Sequence, residues 1–200
     1  MFGLHRPTAL EIAHQMDATS GLAPLVPRLL FIGGRATNPI PRAGLAHDRT
    51  RSWLGAGEQV FAAAKHAFDQ WAQFDLGWTR VANPQAPIEI GQIVAVEVRS
   101  LGLWSLNLSR IVETVDTGER FGFVYSTTEN HVEHGEERFL LEFDIATGAA
   151  WYDLEALSRP RSPLARLGYP ITRAFQHRFA RDSHRRMREA ADSARLAPRG

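Results

Sequence analysis

The sequence predicts an α+β domain: a curved antiparallel meander wrapped around a long C-terminal helix, with another helix after the first strand. Three observations predict it. Apolar residues recur at helical spacing over residues 58–74, alternate from Trp78 to Leu157, and return to helical spacing from Ile171. Turn signals such as Asp116-Thr-Gly118 and Ala146-Thr-Gly148 separate the alternating runs, as in a meander of short connections. A sheet with one apolar face and a helix with one apolar stripe must cover each other.

Residues 1–44 read as an N-terminal arm or flap. A short helix is expected over residues 8–16. Beyond Gly21, the prolines at 24, 27, 39 and 41 and the Gly33-Gly34 pair preclude long regular structure. The main domain is expected over residues 45–194, with 195–200 a frayed tail. Its first strand runs from Arg49 to Leu54 and breaks at Gly55-Ala-Gly57. A helix follows to about Phe74, since Val60, Ala64, Ala67, Phe68 and Trp71 share one face, and Glu58 in its first turn favours the helix dipole.

Five strands then alternate. Val94, Val96 and Val98 mark the first. Trp104, Leu106 and Leu108 mark the second, Phe121, Phe123 and Tyr125 the third. Phe139, Leu141 and Phe143 mark the fourth, and Tyr152, Leu154 and Ala156 the fifth. Ser162-Pro163 reads as a helix N-cap and first position, with a restart near Gly168 and Pro170. The final helix is expected from Pro170 to about Ala194, with Ile171, Phe175 and Phe179 on its inner stripe.

The 200 residues suffice for a core without staples, and the chain has no cysteine, so disulfide frameworks and thiolate metal sites are excluded. No secretory signal is expected, because Glu11, His14 and Asp17 interrupt the first twenty residues. The apolar stretch from Leu22 to Ile32 is too short to span a membrane. A cytoplasmic location is the expectation. The net charge of +1 conceals an asymmetry: residues 159–200 hold eleven arginines against three acids, and residues 113–144 hold nine acids against two arginines. The two are expected to pair with each other. No surface of basic residues interleaved with aromatics is evident, so nucleic acid is not an expected partner.

The stretch Phe121–Phe139 resembles the pattern of the domain of unknown function 1990 family (uncharacterised protein family 0548). Its most specific part is Gly135-Glu136-Glu137-Arg138-Phe139. Gly55-Ala-Gly57-Glu58 with Phe61 and Trp71, Gly91, Ser158-Arg159-Pro160, Gly168-Tyr-Pro170 and Gln176 also match. The likeness covers about residues 45–190. Ser126, Thr128, Glu129 and Asn130 depart from it, where relatives usually carry Gly, Leu, Pro and Gly. The resemblance implies no established activity. The element order resembles the helix-grip fold of Bet v 1/START-like domains, whose members hold apolar ligands between sheet and helix.

The leading expectation is therefore a small apolar or amphipathic ligand in a cavity lined by Trp104, Phe123, Tyr125, Phe139, Tyr152 and Phe175, with His131 near its mouth. An ordinary packed core would use the same rings. The alternative is an enzyme using that cavity, with His131 and Glu136 or Glu137 as acid–base groups. Adjacent strand residues point to opposite faces, so only one of the two glutamates can enter. Each could equally be a structural carboxylate bonded to backbone or to Arg110, Arg138 or Arg159. A third expectation is an interaction module acting through the basic helix. His131-Val-Glu-His134 has metal-ligand residue types on a turn rather than the helical His-Glu-x-x-His spacing, so no metal and no cofactor are expected.

Overall fold

The computed structural model describes residues 2–22, 30–32, 45–128, 133–160 and 169–196. In chain order the elements are β1 (Phe2–Gly3), α1 (Ala9–Ser20), β2 (Ala46–Ala56), α2 (Glu58–Asp69) and a 3₁₀ turn (Ala72–Phe74). There follow β3 (Thr79–Val81), β4 (Ile93–Ser100), β5 (Leu103–Asp116), β6 (Arg120–Thr127), β7 (Glu133–Asp144), β8 (Ala149–Pro160) and α3 (Tyr169–Leu196). Ser162, Pro163 and Gly168, expected at a helix start and restart, lie outside the described residues. So do 23–29 and 33–44, which belong to the expected arm.

All strand pairs are antiparallel, in the order β2-β8-β7-β6-β5-β4-β3, with β1 added on β5. Laid flat, seven strands would separate the outer two by about 29 Å at ~4.8 Å per gap. Thr50 of β2 and Thr79 of β3 nevertheless line one cavity. The sheet is therefore curled into a half-barrel, and α3 lies in its concavity. Tight strand contacts permit no side chain at two points. A Cβ on Gly122 would sit 2.2 Å from the Phe139 carbonyl oxygen, and one on Gly135 would sit 2.1 Å from that of Leu157.

The concave face is aromatic at one end. Phe123 and Phe139 stack at 5.1 Å, both fully buried. Phe68 of α2 packs on Phe121, Phe123 and Tyr152. The helix expected to reach Phe74 stops at Asp69 instead. Trp71 takes a left-handed conformation (φ 58°), which turns its indole into the core, where Nε1 donates to the Ala86 carbonyl at 3.1 Å. The 3₁₀ turn then sets Phe74 on Phe139, at 5.1 Å. Burying one such ring contributes roughly 1.5–3 kcal/mol, so this cluster anchors the fold.

The convex face is covered as well, which one-sided alternation did not anticipate. Ile12 and Met16 of α1 pack against Ile93, Ala95, Leu106 and Leu108. Thr8 caps α1 through a reciprocal box with Glu11. Residues 30–32 cross the other half of this face, with Leu30 and Ile32 on Val124 and Leu157. Three charged side chains hold that crossing. The Leu30 amide donates to Glu136 Oε2 (2.7 Å), the Ile32 amide to Glu113 Oε2 (3.0 Å), and Arg138 Nη1 to the Phe31 carbonyl (3.1 Å).

The inner stripe of α3 also differs in part. Phe179, Met187 and Ala191 join the core, and Phe175 meets Trp78 at 5.8 Å, whereas Ile171 points outward, 52 % exposed. The ion pairs of the basic face of α3 run largely to groups other than the acids of 113–144. Arg178, Arg181 and Arg185 gather around Asp182 of the same helix, and Arg173 reaches Asp48 on β2. The strand acids bind nearer groups: Glu142 takes Arg51 and Arg120, and Asp116 takes Lys65. Neighbours on adjacent strands and on α2 satisfy those charges.

Candidate functional site

At the other end of the concave face the rings give way to a cavity of about 420 Å³. Small side chains leave the space: Thr79, Val96, Val98, Asn107 and Ala156 on the strands, and Ala180 on α3. Phe74 and Phe179, 5.4 Å apart, form the wall against the packed half. Trp78 and Phe175 form the opposite aromatic wall. Trp78 is pinned on both sides, by its Nε1 donating to Asp182 Oδ2 (3.0 Å) and by Arg178 lying 4.5 Å over its ring.

Two polar groups stand out inside. On the sheet, the Tyr125 hydroxyl donates to Glu137 Oε2 at 2.8 Å. These residues are directly opposite on β6 and β7, so the pairing follows from register. At the rim, Arg173 forms a two-pronged ion pair with Asp48, one prong of which is Nη2 to Oδ1 at 2.6 Å. Arg173 Nη1 also donates to Gln176 Oε1 (2.6 Å), and Gln176 Nε2 donates to Ser158 Oγ (3.0 Å). The Arg173 hydrogen bond holds the Asp48 carboxyl below the usual carboxylate range, against the opposing effect of partial burial. Burial would raise Asp182, but the Trp78 hydrogen bond and the nearby Arg185 and Arg181 leave it lowered.

His184 closes the cavity beside β2. Its Nδ1 is 2.8 Å from Ser52 Oγ and its Nε2 is 2.7 Å from Thr50 Oγ1. Both hydroxyls can donate or accept, so the neutral ring is satisfied in either tautomer. Burial, reinforced by the Arg188 charge, pulls its pKa down to about 4. Tyr152 packs against this ring and shares a hydrogen bond with Ser183 Oγ (2.9 Å); burial pushes its hydroxyl far up.

The expected lining residues separate into three groups. Tyr125 and Phe175 do line the cavity. Phe123, Phe139 and Tyr152 face the same side but lie in the packed half, fully enclosed. Trp104 is on the convex face, in register with Arg99, with the guanidiniums of Arg6 and Arg99 at 5.7 and 5.9 Å from its ring. On β5 the polar residues turn inward and the apolar ones meet α1, which reverses the usual reading. Glu137 enters the cavity, while Glu136 is buried on the opposite face under Leu30. Arg138 bridges Asp153 and Glu155 (2.8 and 2.6 Å), and Arg110 binds the carbonyls of Thr19, Ser20 and Leu22. His134 is half-buried in β7 and His131 lies outside the described residues. Among the described residues, no three His, Cys, Asp or Glu side chains gather as a metal site, and no helix is long and apolar enough to cross a membrane. Sequence reasoning missed Asp48, Phe74, Trp78 and Arg173. The i, i+4 recurrence of Thr172, Gln176 and Ala180 beside Phe175 and Phe179 was the available signal for the helical wall.

This architecture is shared with solved structures. The Zhui aromatase/cyclase from Streptomyces sp. R1128 superposes with a TM-score of 0.55 at 13 % identity, over 76 % of this chain and 97 % of that one. Ara h 8.0201 gives 0.51 at 13 %, over 75 % and 99 %. These likenesses establish a helix-grip fold of the Bet v 1/START-like kind. In sequence, the chain is 37 % identical over 157 residues to a UPF0548 protein of Dictyostelium discoideum, covering 73 % of each. It is 33 % identical over 202 residues to one of Deinococcus radiodurans, covering 96 % of this chain and 99 % of that one. The model described as "Domain of unknown function (DUF1990)" matches residues 32–186, and the chain belongs to that family.

Proposed function

We propose that this protein binds a small apolar or amphipathic ligand between the curled sheet and α3. The observation that carries this reading is the cavity itself. About 420 Å³ of space lies within the ~300–1,000 Å³ usual for small-molecule sites. Most of the wall surface is apolar, from Phe74, Trp78, Val96, Val98, Leu154, Phe175 and Phe179; polar side chains interrupt it, with Tyr125 and Glu137 on the sheet, His184 beside β2, and Asp48, held by Arg173, at the rim. A flat or elongated apolar body would lie between Trp78–Phe175 and Phe74–Phe179, with a polar end toward Tyr125. A chain without cysteine suits the cytoplasm, the location that goes with this reading.

Native mass spectrometry and thermal-shift screens with fatty acids, isoprenoids and aromatic metabolites test it. The expected result is a bound species or a raised Tm that disappears when Ala180→Phe fills the cavity. A protein that shows neither with any of these classes overturns it.

One observation favours a second reading. Glu137 is half-buried in the cavity and accepts the Tyr125 hydroxyl, so a carboxylate and a phenol stand together where a ligand would lie. Such a pair could move a proton to or from a bound hydroxyl or carbonyl. An enzyme of this kind would lose turnover in Glu137→Gln while still binding its ligand. Equal turnover in the variant removes the reading.

A further inference from the structure

The β4–β5 hairpin flanks the cavity. Val96 and Val98 of β4 and Asn107 of β5 line it, and the turn Leu101-Gly102 lies just beyond them. Both turn residues have positive φ, 51° and 80°, as a two-residue hairpin of the primed type requires. Asn or Asp is the residue suited to that first position; leucine there is strained. It is also 77 % exposed. A strained, solvated leucine offers folding nothing. Leu4, one residue past the β1 pairing with Trp104, is 85 % exposed beside it, and Leu103 is partly exposed.

The surroundings of these leucines are basic and aromatic. Arg6 and Arg99 flank the Trp104 ring. Arg6 and Arg80 both bond Glu97, at 2.9 and 2.6 Å, and Arg99 adds a third guanidinium beside Trp104, so cations outnumber that carboxylate. Exposed leucines, an indole and surplus arginine form the composition that lodges at an anionic bilayer surface, with apolar tips in the acyl boundary and cations at the headgroups.

We propose that the β4–β5 hairpin tip, with Leu4, docks this end of the protein on an anionic lipid surface. The charge surplus selects a lipid surface over a neutral apolar partner. The docking goes beyond ligand binding and does not depend on it, since the test reads attachment rather than cargo.

Flotation of the full chain with vesicles tests the proposal, comparing phosphatidylcholine alone with phosphatidylcholine containing about one-third phosphatidylserine. Binding is expected to the anionic vesicles, weakening as salt rises. Leu101→Asn combined with Leu4→Ser should cut that binding about a hundredfold or more, as loss of two inserted leucine side chains implies. Asn suits the turn, so an unchanged or higher Tm separates lost docking from unfolding. Arg99→Gln should weaken attachment to anionic vesicles alone. No attachment to either vesicle overturns the proposal. So does attachment that the leucine variant leaves intact, which would assign it to the basic face of α3. Capture of the hairpin by a protein, with vesicles left untouched, overturns it as well.

Discussion

Acidification should destabilise this fold through one residue, His184, in a pH range where its carboxylates play little part. The imidazole has an ordinary pKa of 6.5 and a folded value of about 4. Above about pH 6.5 the ring is neutral in both states and contributes no pH dependence. As pH falls from there toward 4, the unfolded chain takes a proton that the folded one refuses, and stability drops. A tenfold difference in proton affinity between the two states is worth ~1.36 kcal/mol, so about 3 kcal/mol is lost once pH passes below 4, and roughly 2.5 kcal/mol of it by pH ~4.5. Asp48 and Asp182 act in the same direction but lower on the pH scale. Their folded pKa values are depressed below 3.8, so their contribution is present above that value and is lost only as pH falls further. The two windows do not overlap. Urea unfolding at about pH 7.5 and about 4.5 should show the loss as a lower midpoint with unchanged slope. His184→Gln, which keeps hydrogen-bonding capacity toward Thr50 and Ser52 without a titrating charge, should flatten that dependence. An equal pH dependence in both proteins, or a His184 resonance titrating near its ordinary value, refutes the reasoning.

Two further expectations follow from the family's signature run. Gly135→Ala places a methyl carbon 2.1 Å from the Leu157 carbonyl oxygen and 2.8 Å from Ser158 Cα, both backbone atoms that cannot rotate away. It should cost about 3 kcal/mol or more in a denaturant melt, whereas Gly118→Ala, with open space around it, should cost far less; similar losses at both sites contradict the packing argument. Glu136→Ala removes the acceptor of the Leu30 amide. A lost charge-assisted hydrogen bond of roughly 1.5–3 kcal/mol should appear as faster hydrogen exchange at Leu30, and unchanged protection there would show that something else holds residues 30–32.

Much of this was legible because a strand's period is visible in its own residues. Val94, Val96 and Val98 turn to the concave side, and so do Phe121, Phe123 and Tyr125, as alternation requires. Period does not say which face is which when both are covered. On β5, Leu106 and Leu108 meet α1, and Ser105 and Asn107 face inward, so the polar residues trace the cavity and the apolar ones the outside. The same ambiguity misplaced Trp104. Helix length failed at Trp71 for another reason: its left-handed backbone is stabilised by where the indole lands, on Phe74 and Phe123, and no local residue announces it. Ion pairs were the least legible. Total charge suggested that α3 should meet the acidic strands, but side chains pair with what the ladder places within about 4 Å, and those neighbours are set by register.

The hollow and the solid halves of the interior have one cause. Along the inner strand rows, Phe121, Phe123, Phe139 and Tyr152 point toward α2, where Phe68 and Trp71 fill between them. α2 and its 3₁₀ turn end at Phe74, and beyond it nothing but α3 spans the curl among the described residues. There α3 presents Thr172, Gln176 and Ala180, and the strands present Ala156, Val98 and Thr79. Thr172 and Ala180 face the short strand side chains across a gap set by Phe74 and Phe179, so the backbone cannot collapse without displacing buried rings. The signature run joins the two faces of this arrangement. Glu136 and Arg138 grip residues 30–32 outside, while Glu137 and Phe139 face the cavity and the core inside. A displacement of β7 at this run would move both faces together, so the outer crossing stiffens the strand that carries the cavity's carboxylate.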